Sequence, residues 1–153
     1  MLSELLSRNA ILISLKSCTR DAVIRELLRA VPFDRSVFPE ESAYQALIER
    51  ESTFSTAIGE YTAVPHAKCP IREEMTMAFG LSREGVDFSA ADGKPVRFFF
   101  MMLTRKDVSG LHLKMLARIA RLIKLPGFSR EITTCMTPAE ALELFQREEA
   151  LLG

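Results

Sequence analysis

The chain has 153 residues, 48% hydrophobic and 26% charged, which fits one globular domain, residues 1–153, with a core of its own. Twenty Lys and Arg balance twenty Asp and Glu, so no net field draws it to nucleic acid or to an anionic membrane, and any attraction for anions must come from local geometry. The opening MLSELLSRNA has no basic region followed by a long apolar stretch, and no later run approaches the roughly 20 apolar residues of a membrane helix, so a cytoplasmic protein without stable membrane insertion is expected.

In chain order, Ala10 to Leu15 reads as a short strand. Thr19 is placed to N-cap a helix whose apolar positions Val23, Ile24, Leu27, Leu28 and Val31 follow a 3.6 period as far as Pro32. A second helix after Pro39 turns Tyr44, Leu47 and Ile48 inward and runs out near Glu49 and Arg50. Glu51 to Pro70, rich in Ser, Thr, Gly and Pro, spaces Ala57, Ile58, Ala63 and Val64 as very short strands or an ordered loop would. Met75 to Leu81 and Val96 to Leu103 read as strands, with Asp92-Gly93 as a turn between them. The second is apolar without alternation, as in a strand covered on both faces.

Ser109 to Lys124 is patterned as a helix, with Lys114, Arg118 and Arg121 opposite Met115, Leu116, Ile119, Leu122 and Ile123, and Pro126-Gly127 ends it. Asp107 and Ser109 are both candidate caps for it. Thr137-Pro138-Ala139-Glu140 opens a last helix that buries Leu142 and Phe145. Strands mixed with helices, one strand apolar on both faces, predict an α/β fold with a mixed sheet sandwiched by helices. Cys18, Cys69 and Cys135 are odd in number and unpaired in spacing, so they read as reduced packing residues.

Histidine chemistry has two candidates, His66 and His112. His66 follows Ala63-Val64-Pro65, where proline fixes its own backbone and biases Val64 to be extended, presenting the imidazole at the end of a strand-like stretch. Arg50 lies sixteen residues upstream, with Ser52, Thr53, Ser55 and Thr56 between, and Lys68 and Arg72 follow. These are donors and cations suited to a phosphate, although the same composition describes an ordinary polar loop. His112 falls on the apolar side of its helix near the N-terminus, where the dipole favours anions and a neutral ring. The pair His66-x-x-Cys69 lacks the ligand density of a metal site, so no metal or cofactor is assigned.

The run Arg50-Glu51-Ser52-Thr53-Phe54-Ser55-Thr56-Ala57-Ile58-Gly59-Glu60-Tyr61-Thr62-Ala63-Val64-Pro65-His66 resembles the R-E-x-x-x-S-T-G-I-G-x-G-I-A-I-P-H pattern of type 2 enzyme IIA components of the phosphotransferase system, the fructose, mannitol and nitrogen-regulatory group. The likeness extends through Asp92-Gly93-Lys94-Pro95-Val96 and His112-Leu113-x-x-Leu116-Ala117. It implies the fold of that family and a phosphoryl group carried on His66, with His112 as second active-site histidine, Arg50 facing the phosphate, and Thr56 and Ser55 as supporting donors. It further implies an HPr-like phosphocarrier as donor and a IIB component as acceptor, in sugar uptake or a nitrogen-type relay. The alternative is a regulatory binding protein whose phosphorylation state controls target proteins. Ala57 and Tyr61 stand where the pattern has glycine; a requirement for positive φ at Tyr61 would force the loop to rearrange.

Overall fold

In the computed structural model, which describes residues 1–153, the two expected strands pair antiparallel as β5 (Met75–Val86) and β6 (Val96–Thr104). Shorter strands join them in a six-stranded mixed sheet: β1 (Ile11–Leu12), β2 (Ala57–Gly59), β3 (Thr62–Ala63) and β4 (His66–Lys68). The order is β1-β5-β6-β3-β2, with β4 also paired to β6. Strands β3 and β4 follow one another along the same side of β6, both parallel to it.

Period-2 alternation along β6 supplies two cores at once. Phe98, Phe100 and Met102 pack on one face with Met115, Ile119 and Phe145; Phe99, Met101 and Leu103 pack on the other with Ile24, Leu27 and Leu47. The first face is covered by α1 (Leu2–Leu5), α4 (Ser109–Leu122), α5 (Phe128–Thr134) and α6 (Pro138–Ala150), the second by α2 (Arg20–Ala30) and α3 (Glu40–Thr53). The sheet is therefore sandwiched by helices, as the two-faced apolar strand predicts.

Several boundaries differ from the sequence reading. The first strand shrinks to two residues, although the Leu15 amide still donates to the Leu81 carbonyl at 2.8 Å; beyond it the amides of Lys16 and Ser17 are taken by the Glu26 carboxylate at 2.9–3.1 Å. Helix α3 runs past Arg50 to Thr53, whose hydroxyl donates to the Glu49 carbonyl at 3.0 Å. Strand β5 continues beyond Leu81 through an irregularity to Val86, and Gly85 (φ +87°) is needed there because a Cβ would meet Pro95 at 2.8 Å. Helix α5 was unforeseen after Pro126-Gly127; Phe128 and Ile132, one turn apart, fasten it to the core. So was α1, whose Leu2 and Ser3 amides both donate to the buried Glu149 carboxylate at 2.7 Å.

Thr19 and Thr137 cap their helices as expected, accepting from the amides of Ala22 and Glu140. Neither Asp107 nor Ser109 caps α4: Val108 holds that position without a side-chain bond, and Arg105 engages Asp107 at 2.6 Å. Arg118 is not a solvent-facing cation but bonds Glu149 at 2.6 Å. Cys69 and Cys135 are buried packing residues, whereas Cys18 is exposed.

Candidate active site

The segment between α3 and β4 is a tightly bonded hairpin. Strands β2 and β3 pair antiparallel, and Glu60 and Tyr61 form the turn between them in the left-handed region, at φ +53° and +57°. Tyr61 thus adopts the backbone conformation a glycine would take, without rearranging the hairpin, at a cost of about 1 kcal/mol. Its carbonyl accepts from the amides of Arg97 and Phe98, fixing the turn to β6. Ala57 has no positive φ, so its side chain meets no such conflict.

Beyond the hairpin, Val64 and Pro65 are buried and His66 opens β4 opposite Met102. The Pro65 carbonyl accepts from the Met102 amide at 2.9 Å, which holds the Pro-His unit on the sheet. His66 Nδ1 lies 2.7 Å from the Val64 carbonyl. A carbonyl oxygen only accepts, so Nδ1 carries the proton and Nε2 keeps its lone pair.

Four residues separate the end of β6 from the start of α4, and this short connection sets His112 over the end of β4. The two imidazoles meet with centroids 4.6 Å apart and planes inclined at 58°. His112 is buried, with Nδ1 3.4 Å from the hydroxyl of Thr104. Burial first, and then the nearby His66, Lys68 and Arg50, bring its pKa down to about 4, so the ring is neutral at pH 7. His66 is lowered too, chiefly by burial with Arg50 and Lys68 adding to it, while the Val64 carbonyl pulls the other way.

Both rings open on a pocket of about 420 Å³. Helix α3 contributes Ala46, Glu49, Arg50 and Thr53 to its wall, β4 contributes Lys68, and α4 contributes His112 alone. The first-turn amides of α4 therefore do not line it, and the positive charge at the site comes from Arg50 and Lys68. Arg50 Nη1 donates to the Phe54 carbonyl at 2.8 Å, its one bond within the chain, leaving most of its five donors free. A larger groove of about 880 Å³ runs between β1 and α2, but it contains no histidine and its Arg25 is already paired with Glu41.

The structure brings His66, His112 and Arg50 together, and with them Lys68 and Thr53. It does not bring Ser55 and Thr56. The Thr56 hydroxyl donates to Glu51 at 2.7 Å and the Ser55 hydroxyl to the Phe88 carbonyl at 2.6 Å, so neither has a proton free for a phosphate, and neither lines the pocket. Arg72 lies outside it as well, beside Asp34. Sequence reasoning overlooked Glu51, which is buried at 4% exposure, and Thr104; the signal for Glu51 was a helical position one turn beyond the buried Leu47.

The family model described as phosphoenolpyruvate-dependent sugar phosphotransferase system, EIIA 2, matches residues 4–148. A fructose-specific EIIABC component of Bacillus subtilis is 32% identical over 97% of this chain, which spans 23% of that protein's length. A nitrogen regulatory protein of Bradyrhizobium diazoefficiens is 33% identical, with 86% of this chain and 85% of that one covered. The crystal structure of the nitrogen regulatory protein IIA-Ntr from Neisseria meningitidis superposes with a TM-score of 0.84 at 25% identity, covering 94% of this chain and 97% of the other. The architecture is thus that of phosphotransferase-system IIA proteins. The chain belongs to the type 2 enzyme IIA family of that system. No helix is long and apolar enough to cross a membrane.

Proposed function

We propose that this chain is a phosphohistidine carrier: His66 accepts a phosphoryl group from the phosphohistidine of an HPr-like phosphocarrier and hands it to a IIB component. The observation that carries this reading is the 2.7 Å bond from Nδ1 to the Val64 carbonyl, which leaves Nε2 as a nucleophile beside an open cationic pocket. As Nε2 bonds phosphorus, the donor's N–P bond breaks and its electron pair returns to the donor ring. Nδ1–H stays on Val64, whose carbonyl meets the positive charge developing on the His66 ring.

Such a transfer passes through a loose transition state and needs positioning and charge stabilisation more than a strong base. Arg50 supplies a charged planar donor set and neutral His112 a second imidazole beside the reacting ring. Because burial and neighbouring cations hold His66 neutral, its lone pair is available at neutral pH. The same unreceptive surroundings make the phosphorylated ring a good leaving group for the onward step.

Incubation with a phosphorylated carrier from a sugar relay, and with one from a nitrogen relay, is expected to add one acid-labile phosphoryl group by intact mass. His66→Ala is expected to take none; unchanged labelling of that variant refutes the reading. A second reading is a regulator whose phosphorylation state governs its affinity for transporters or kinases. The match to a nitrogen regulatory protein, covering 86% of this chain and 85% of that one, favours it. Phosphate-dependent capture of such a target without transfer to IIB proteins would select it.

A further inference from the structure

A continuous chain of hydrogen bonds runs from a buried carboxylate to the His66 ring. The Glu51 carboxylate accepts from the amide and the hydroxyl of Thr56, at 2.6 and 2.7 Å. The Thr56 carbonyl accepts from the Val64 amide at 3.0 Å, and the Val64 carbonyl in turn accepts from His66 Nδ1–H at 2.7 Å. From these contacts we infer that Glu51 is a positioning residue: through Thr56 and the Val64 peptide it fixes the rotation and the tautomer of His66. The inference deepens the reading of His66 as phosphoryl acceptor and rests on it only for the consequence to transfer.

The physical case begins with cost. A carboxylate with 4% of its surface exposed loses most of its hydration, and burial is the largest influence on its ionisation, pushing its pKa up. Two short bonds from one residue offset part of that cost, and Thr56 in exchange is held in a single conformation. Thr56 and Val64 bracket the β2–β3 hairpin, so their backbone bond closes it at its open end. Glu51 also follows Arg50 on the last turn of α3. One helix end therefore aims a guanidinium into the pocket and, through the next residue, anchors the backbone that aims the nucleophile.

Both readouts needed for a test exist. In protein labelled with ¹⁵N-histidine, the ring nitrogen shifts report which nitrogen of His66 bears the proton, with no carrier present. Initial rates of phosphoryl acceptance from the phosphorylated HPr-like carrier report the consequence. In the parent protein His66 is expected in the Nδ1–H form. Glu51→Ala and Thr56→Val are expected to mix the two tautomers and to slow acceptance roughly tenfold or more, because reacting groups out of register lose their advantage steeply. Thr56→Ser, which keeps the hydroxyl, is expected to restore both readouts.

An unchanged His66 tautomer and an unchanged rate in both disruptive variants would overturn the inference. Should Glu51→Ala fail to fold by circular dichroism, Thr56→Val decides alone, since it preserves side-chain volume and the amide bond to Glu51. A parent protein that accepts from no carrier, with a tautomer that still answers to Thr56→Val, would refute the acceptor reading and uphold the positioning chain.

Discussion

Phosphorylation of His66 should reverse the charge preference of His112. In the free protein the fall of His112 from 6.5 to about 4 corresponds to about 3 kcal/mol against the imidazolium. A phosphoryl group brings close to two negative charges. With the ring centroids 4.6 Å apart, it would lie roughly 6 Å from the His112 ring. At an effective dielectric of about 20 each charge is then worth about 3 kcal/mol, and at about 40, for a pocket open to water, half that. The larger figure more than offsets the penalty and the smaller offsets most of it, so His112 should titrate close to or above the ordinary histidine range in the phosphoprotein. A pH titration of its ring resonances by NMR, before and after phosphorylation, measures this directly. A value still near 4 in the phosphorylated state would refute the electrostatic coupling of the two histidines.

The same depressed value makes stability depend on pH. The unfolded chain takes up the His112 proton near 6.5 and the native one only near 4, so the contribution is complete above about 6.5 and is lost as pH falls through about 4. Lowered Glu149 adds to this acid sensitivity and raised Glu51 opposes it; urea midpoints followed downward from neutral pH should fall, and less steeply in His112→Gln. Glu149→Ala strands Arg118, itself largely buried, and the two amides of α1, and should cost about 3–5 kcal/mol by chemical denaturation, with hydrogen exchange rising first at Leu2 to Leu5. Tyr61→Gly removes left-handed strain at an exposed turn and should leave the protein more stable by about 0.5–1 kcal/mol in the same assay.

What the sequence disclosed was what short-range rules govern. Thr19 and Thr137 could be read as caps because capping acts over three residues, and Phe98 to Leu103 could be read as a two-faced strand because period and composition are local. Arg50, His66 and His112 were legible as a group through the family's motif, and the fold places all three on one pocket. Ser55 and Thr56 belong to the same motif, yet their hydroxyls point to Phe88 and Glu51, and no spacing rule foretells which acceptor a hydroxyl will find. Cys18, read as packing, sits exposed in the connection that Glu26 pulls toward α2. Helices α1 and α5 are short and owe their existence to distant partners, Glu149 and the Phe145 cluster, so their own residues carried little signal.

Under the proposed carrier function, the arrangement lets two histidines of one type serve different ends. His66 has one nitrogen committed to a backbone carbonyl, and this asymmetry makes the other a directional nucleophile. His112 is more deeply enclosed, and its Nδ1 meets only a hydroxyl at 3.4 Å, a contact that can serve either tautomer. In the proposed transfer it is therefore free to act as neutral donor beforehand and as cation afterwards. Arg50 completes the site with a permanent charge tethered by a single bond to Phe54, so its remaining donors can follow a phosphoryl group in and release it again. The proposed carrier must bind its cargo reversibly. One fixed ring, one responsive ring and one loosely tethered cation meet that requirement more closely than a rigid cage of donors would, since a cage would trap the phosphate it received.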